Sequence, residues 1–250
     1  MKKIERRRFI GTLGGAFALG SLDLSGIELP DPAEINQDIS KTIRLKGNPD
    51  SSIIHWDIIT IGNLSRNRYW GESDEKPLRS AICTCTVVSG KDFHLVVDPS
   101  LKDESAMAAE LDRRTGLAIG EIDAVFVTHT HDDHLYGIKH FMNARWIAGP
   151  EVAKALNESG LYPKRFEPAD SSLMETIDVI HSPGHTHAHY SLRFDCEGFS
   201  VFIAGDAVAT RDYWRERRMY YNVTDMEQSR ITMEKIKMIS DIIVPGHDNY

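Results

Sequence analysis

The sequence predicts an α/β sandwich, a single large domain in which two sets of strands are each covered by helices. Short apolar runs such as Ala124-Val125-Phe126-Val127 and Ile242-Ile243-Val244 read as buried strands. Segments with helical spacing that stop at glycine lie between them: Ser105 to Arg114 before Gly116, and Ala153 to Ser159 before Gly160. The 250 residues are 41% hydrophobic, enough to pack one core of that size.

Taken in order, the chain opens on the basic stretch Met1-Lys2-Lys3-Ile4-Glu5-Arg6-Arg7-Arg8-Phe9-Ile10, followed by the apolar, small and glycine-rich Gly11 to Leu22. That arrangement is the one of a bacterial export signal. Arg6-Arg7 ahead of Arg8-Phe9-Ile10 resembles the twin-arginine (Tat) signal, read by a machinery that exports folded proteins. Residues 1–25 are therefore expected to send the chain to the periplasm, with the twin-arginine machinery as a partner during secretion. The apolar run is too short and too rich in glycine for a membrane span. Ala16-Phe17-Ala18 has the form of a cleavage site but comes early. Removing residues 1 to 18 would take away five positive charges and one negative, moving the net charge from -8 to -12. Residues 26–52, with Pro30, Pro32 and Pro49, read as a linker or an arm.

The catalytic domain is expected over 53–250. Ile53 to Ile61 is strand-like, and Ala81 to Ser89 with His94 to Val97 forms a hairpin around Ser89-Gly90-Lys91-Asp92. Between them Gly62 to Ser80, holding Arg66, Arg68, Tyr69 and Trp70, reads as a solvated loop, with a basic and aromatic lip over a site as the alternative. Further helices are predicted at Leu135 to Asn143 and Glu227 to Ser240. Further strands fall at Arg145 to Ala148, Ile177 to His181, Tyr190 to Asp195 and Phe199 to Ala204. Ala207 to Asp225 is left as a loop.

Chemistry concentrates in Thr128-His129-Thr130-His131-Asp132-Asp133-His134, three imidazoles and two carboxylates beyond a buried strand. Alternation along an extended segment puts His129 and His131 on one side, so both can bind one cation. Asp133 and His134 fall beyond the bend and can bind a second. Three later residues each follow a β-like run: His185 in Ser182-Pro183-Gly184-His185, Asp206 in Ala204-Gly205-Asp206-Ala207, and His247 in Pro245-Gly246-His247-Asp248.

In that order the residues give H-x-H-x-D-H, then H, then D, then H, which resembles the metallo-β-lactamase superfamily of hydrolases over roughly residues 53 to 250. The resemblance implies a four-layer αββα sandwich. It also implies that His129, His131 and His185 hold one divalent metal, that Asp133, His134 and His247 hold another, and that Asp206 bridges them. Such a nitrogen and oxygen set suits zinc at both positions, and iron or manganese would tolerate it. The implied reaction is attack by a metal-bridging hydroxide on an ester, lactone or thioester carbonyl of a small molecule, with Asp133 as the catalytic residue that passes a proton to the leaving atom.

Asp206 separates relatives. True β-lactamases of the superfamily generally carry Cys or Ser there, whereas glyoxalase II-type thioesterases, lactonases, phosphodiesterases and diiron reductases keep the Asp, so the chain resembles the glyoxalase II and lactonase side. Quorum-quenching lactonases often place a Tyr three residues later; here that position is Ala209, and Tyr213, Tyr220 or Tyr221 would have to supply a hydroxyl. Asp98, ending Val96-Val97-Asp98-Pro99, matches an Asp that bonds a ligand His and fixes its tautomer. His189 is expected to support the site, and His181 and His187 to be solvated. The alternatives are a β-lactam or phosphodiester hydrolase, or a non-haem iron oxidoreductase of the persulfide dioxygenase type.

Cys83, Cys85 and Cys196 make no disulfide framework: the first two are too close along one strand, and all three read as buried small hydrophobes. The net charge of -8 argues against a nucleic-acid partner, which needs a basic face, and the cluster Arg211 to Arg218 is too short to reverse it.

Overall fold

The computed structural model describes residues 46–248 apart from Asp74 and Asp170. The chain divides into the units Met1–Arg44 and Leu45–Tyr250, and the described residues belong to the second. The export signal read at residues 1–25 and most of the linker at 26–52 lie outside the described residues.

One sheet runs in sequence order through β1 (Ile53–Thr60), β2 (Cys85–Gly90), β3 (His94–Val97), β4 (Ala124–Val127), β5 (Arg145–Ala148) and β6 (Glu167–Pro168). It is antiparallel from β1 to β3 and parallel from β3 to β6. The second sheet contains β7 (Ser172–Leu173), β8 (Ile177–His181), β9 (Tyr190–Cys196), β10 (Phe199–Gly205) and β11 (Ile242–Pro245), in the order β11-β10-β9-β8-β7. Its β10–β11 pair is parallel. The helices are α1 (Glu104–Thr115), α2 (Pro150–Ser159), α3 (Arg211–Arg215) and α4 (Met226–Ile239).

The sequence explains these elements locally. All four residues of β4 are buried, as expected for a parallel strand covered on both faces. In α1 the Asp103 carboxylate accepts the Ala106 N–H at 2.7 Å and Gly116 closes the helix at φ 76°, while Met107 and Leu111, one turn apart, face the core. In α4 Asp225 caps Gln228, and Ser229, Thr232, Met233 and Ile236 form the buried stripe.

The two sheets face each other. Trp56 of β1 meets Phe194 of β9 edge to face at 6.4 Å, and one apolar cluster draws on both sheets and on α1. On the outer side of the second sheet, Ile236 of α4 packs with Phe202 and Ala204. Each such fully buried large side chain stabilises the fold by about 1.5–3 kcal/mol relative to exposure. The expected four-layer sandwich is the arrangement found.

Three expectations change. The helix expected at Leu135 to Asn143 is a 3₁₀ turn at Ile138–Phe141, with another at Asp132–His134. The Gly137 N–H donates to the Pro99 carbonyl at 2.8 Å and the His140 ring bonds the Leu101 carbonyl at 3.0 Å, so this segment is tied to the chain after β3 instead of closing its own α-helical ladder. The loop expected from Ala207 to Asp225 contains α3, capped by Thr210 and burying Tyr213. The helix α2 starts at Pro150 in the first-turn position, ahead of the expected Ala153.

Candidate metal centre

The seven expected ligands come together at one end of the sandwich. His129, His131, Asp133 and His134 follow β4, His185 lies between β8 and β9, and Asp206 and His247 follow β10 and β11. They form two groups: His129, His131, His185 and Asp206, and beside it Asp133, His134 and His247.

In the first group Nε2 of His129 is 2.9 Å from Nδ1 of His131, which is 3.0 Å from Nε2 of His185. Nε2 of His185 is 3.2 Å from Oδ2 of Asp206. In the second, Nε2 of His247 is 3.1 Å from Oδ1 of Asp206 and 3.4 Å from Oδ2 of Asp133, and Nε2 of His134 is 3.3 Å from Oδ1 of Asp206. Ligand atoms at tetrahedral angles around zinc stand roughly 3.3 Å apart. Asp206 thus offers one oxygen to each group.

Nε2 of His134 and Oδ1 of Asp206 are buried without a hydrogen-bond partner. Leaving such lone pairs dry and unmatched costs about 1–3 kcal/mol each, and a shared cation removes the cost. The residues present therefore fit a pair of divalent cations.

The ring nitrogens turned away from the cluster are held by neighbours. Nδ1 of His134 is 2.8 Å from Oδ2 of Asp98, as expected for that Asp, and the Asp98 carboxylate also accepts the Thr128 N–H and hydroxyl, both at 2.8 Å. Because the Thr128 hydroxyl donates to Asp98, its oxygen accepts from Nδ1 of His129 at 3.0 Å. Nδ1 of His247 reaches the carbonyls of Ile82 and Asn63 at 3.0 and 3.2 Å. In His129, His134 and His247 these bonds fix Nδ1 as the donor and leave the Nε2 lone pair facing inward. The sequence reading gave Thr128, Asn63 and Ile82 no role; a Thr beside the His motif is the one signal that was there to find.

Two glycines make room. A Cβ at Gly246 would stand 2.3 Å from Oδ1 of Asp206, and one at Gly205, where φ is 51°, 2.8 Å from the Thr128 hydroxyl. Asp98 takes φ 51° despite its side chain, which the hydrogen bonds to Thr128 and His134 hold in place.

Burial pushes the His129 imidazole well below its ordinary value and that of His185 to about 4, so both are neutral donors at pH 7. In His134 burial pulls the same way, but Cys83, Asp98 and Asp206 outweigh it and raise the value. In His247 burial is likewise outweighed, chiefly by Asp206. Burial would raise Asp206, yet His247, His134 and His185 hold it well below the usual carboxylate range.

His189 sits behind the cluster as expected, its Nδ1 2.8 Å from the Ser182 hydroxyl. His181 is exposed and bonds the His187 carbonyl. Cys83, Cys85 and Cys196 are free and buried, as read. Burial pushes the Cys83 thiol to about 12, and it donates to the Asp98 carbonyl.

A cavity of about 360 Å³ opens onto the ligands, lined by His131, Asp133, Asp206 and His247 and also by Leu64, Ser65, Tyr220, Tyr221 and Asn222. The loop 62–80 is therefore not simply solvated: Leu64, Arg66 and Asn67 are buried, while Arg68 and Trp70 face outward. Tyr220 and Tyr221 line this cavity, whereas Tyr213 is buried in a cluster with Leu64, Ala209 and Tyr220.

Residues 79–247 match the family described as the Metallo-beta-lactamase superfamily. The chain is 33% identical over 118 residues to hydroxyacylglutathione hydrolase of Aeromonas salmonicida, covering 46% of this chain and 42% of that protein, so it spans less than half of that relative's length. It is 23% identical over 201 residues to an N-acyl homoserine lactonase of a Bacillus species, covering 72% of this chain and 80% of the lactonase. A solved quorum-quenching N-acyl homoserine lactone lactonase shares the fold with a TM-score of 0.62 at 19% identity, over 80% of this chain and 94% of that one. With the family match spanning more than half of the sequence and all seven clustered residues inside it, the chain belongs to the metallo-beta-lactamase superfamily.

Proposed function

We propose that the chain hydrolyses an ester, lactone or thioester of a small molecule at a dinuclear centre. In this reading His129, His131 and His185 hold one cation, Asp133, His134 and His247 the other, and Asp206 joins them. The observation that carries it is Asp206, whose Oδ2 is 3.2 Å from His185 while its Oδ1 is 3.1 Å from His247. When bound, two divalent cations, zinc before iron or manganese, supply an acidified water and a Lewis acid for the carbonyl. The names of the relatives point to the same class, one a thioester hydrolase and the other a lactonase.

The protein's own groups do the remaining work. Asp98, Thr128 and the carbonyls of Asn63 and Ile82 keep the imidazoles aimed before substrate arrives, which limits reorganisation during reaction. Asp133 lines the cavity next to His247 and takes the role of moving a proton to the departing oxygen or sulfur. Tyr220 and Tyr221 stand in for the hydroxyl that Ala209 lacks.

The test is kcat/KM for a lactone, a glutathione thioester, a phosphodiester and a β-lactam under matched metal loading, with metal content by elemental analysis. We expect about two metals per chain, fewer at the second position in Asp206→Ala, and the acyl substrates ahead. A β-lactam or phosphodiester ahead of both by more than about tenfold, roughly 1.4 kcal/mol of transition-state preference, would overturn the ester-type reading. A single iron per chain would favour the dioxygenase alternative.

Export through the twin-arginine machinery to the periplasm belongs to the same proposal and rests on Arg6-Arg7 and the apolar run behind them.

A further inference from the structure

The arginine cluster at Arg211 to Arg218 has no part in the metal chemistry, and the fold brings part of it against α4. Between α3 with its following turn and α4 lies a groove of about 270 Å³, lined by Trp214, Arg215, Arg217, Met233, Glu234 and Lys237. Two of these residues are apolar. Met233 is buried, and the half-buried Trp214 packs against the cluster that contains Phe202, Ala204 and Ile236. Three are cationic. Arg217 stands at φ 52°, in a turn closed by its N–H on the Trp214 carbonyl at 3.1 Å, and its guanidinium meets Glu234 at 3.2 Å. That pair matches the one carboxylate of the lining. Arg215 and Lys237 are left over, both exposed, and among the described residues neither side chain has a hydrogen bond or an ion pair.

The groove runs against the trend of a chain with 37 acidic and 29 basic residues. Two unmatched cations beside an indole and a thioether select an anion with an apolar body, because solvent ions would satisfy the charge alone and any neutral solute the apolar side alone. A guanidinium takes a carboxylate through two parallel N–H bonds, which fixes the ligand's orientation as well as its charge. The space suits one or two rings, since a cavity of about 150 Å³ already holds benzene. None of the six lining residues borders the cavity beside the metal ligands, so the two sites are separate.

We propose that the groove between α3 and α4 is a second ligand site that takes an aryl carboxylate, its ring against Trp214 and Met233 and its charge met by Arg215 and Lys237. The assignment goes beyond the metallo-hydrolase reading and does not depend on it. It describes recognition, with no reaction at the groove.

The experiment titrates benzoate, 1-naphthoate and indole-3-carboxylate into the metal-loaded full chain by calorimetry, beside the matching carboxamides and inorganic phosphate. The expected result is a preference for carboxylate over carboxamide of tenfold or more that shrinks as salt rises, with phosphate the weaker anion. Carboxylates also coordinate metals, so variants decide where the binding occurs. Arg215→Ser with Lys237→Ser should bring the ratio to within about twofold of one, and Lys235→Ser, at an exposed lysine outside the groove, should leave it unchanged. Glu234→Gln, which releases Arg217, should strengthen the preference severalfold. All these positions are exposed, so the fold should survive each change. Equal affinities for carboxylates and carboxamides in the unaltered protein, or no binding up to millimolar concentration, would overturn the proposal. So would a preference that survives the double variant, since that places the anion at the metals. Phosphate binding as tightly as the aryl carboxylates would also overturn it, because Trp214 and Met233 would then contribute nothing.

Discussion

Oδ2 of Asp98 lies 2.8 Å from Nδ1 of His134, at the end of a strand whose last turn holds Asp98 at φ 51°. The same carboxylate takes both donors of Thr128, so one buried anion orients one proposed ligand directly and, through Thr128, a second, His129. Asp98→Ala should weaken zinc binding at the second position about 10–100-fold and lower the melting temperature, because the Thr128 N–H loses its acceptor. Competition against a chromogenic chelator reads the affinity. Unchanged affinity with an intact fold would show that Asp98 does not set the His134 ring.

Gly246→Ala should be as damaging as removing a ligand. Its new methyl would stand 2.3 Å from Oδ1 of Asp206 and 2.8 Å from the Gly205 backbone, and backbone cannot swing away. Hydrolysis should fall by tenfold or more together with occupancy of the second position. Gly120→Ala, where a Cβ meets nothing within 4 Å, is the control and should leave both unchanged. A fully active Gly246→Ala protein would mean that Asp206 has another way to sit.

The metal-free protein should be most stable near neutral pH. His129, His185 and His189 have depressed values in the fold, so below the ordinary imidazole value of about 6.5 the unfolded chain takes up protons that the folded chain refuses. Stability is then complete above about pH 6.5 and is lost as pH falls, His185 alone accounting for roughly 3 kcal/mol by pH 4. His134 and His247 are raised, so their contribution is present below about 6.5 and is lost as pH climbs through their folded values. Bound metal requires neutral rings and should abolish the alkaline decline. Melting temperatures from pH 4 to 9, with and without zinc, check this; a metal-free profile that kept rising with pH would contradict it.

Residues 1 to 30 fused to a folded reporter should reach the periplasm, and Arg6→Lys with Arg7→Lys should hold the fusion in the cytoplasm. Fractionation with a reporter antibody decides it. An unmutated fusion that stays in the cytoplasm would count against the signal.

The clustering of these seven residues was legible because the motif imposes spacing: His129 and His131 share a side, and each later residue of the group sits just beyond an apolar strand. The bonds that aim those ligands were not, since nothing local links His247 to the Asn63 and Ile82 carbonyls, 184 and 165 residues away. The segment 135–143 shows the same limit from the other side. Its apolar spacing suits a helix, but Gly137 and His140 find partners at Pro99 and Leu101, and a pattern cannot weigh a competitor it does not contain. Arg66 looked like a loop charge until the fold put Tyr221 against it.

Each of the two ligand groups draws on both sheets, His129 and His131 with His185, Asp133 and His134 with His247, while Asp206 joins them from the second sheet. A metal there would rivet together halves of the chain that are made at different times, with His129 and His247 118 positions apart. No half-made chain owns a finished site, so loading has to wait until the sheets have docked. First-row cations compete by availability as much as by affinity. The compartment in which this chain folds would therefore decide which metal it takes.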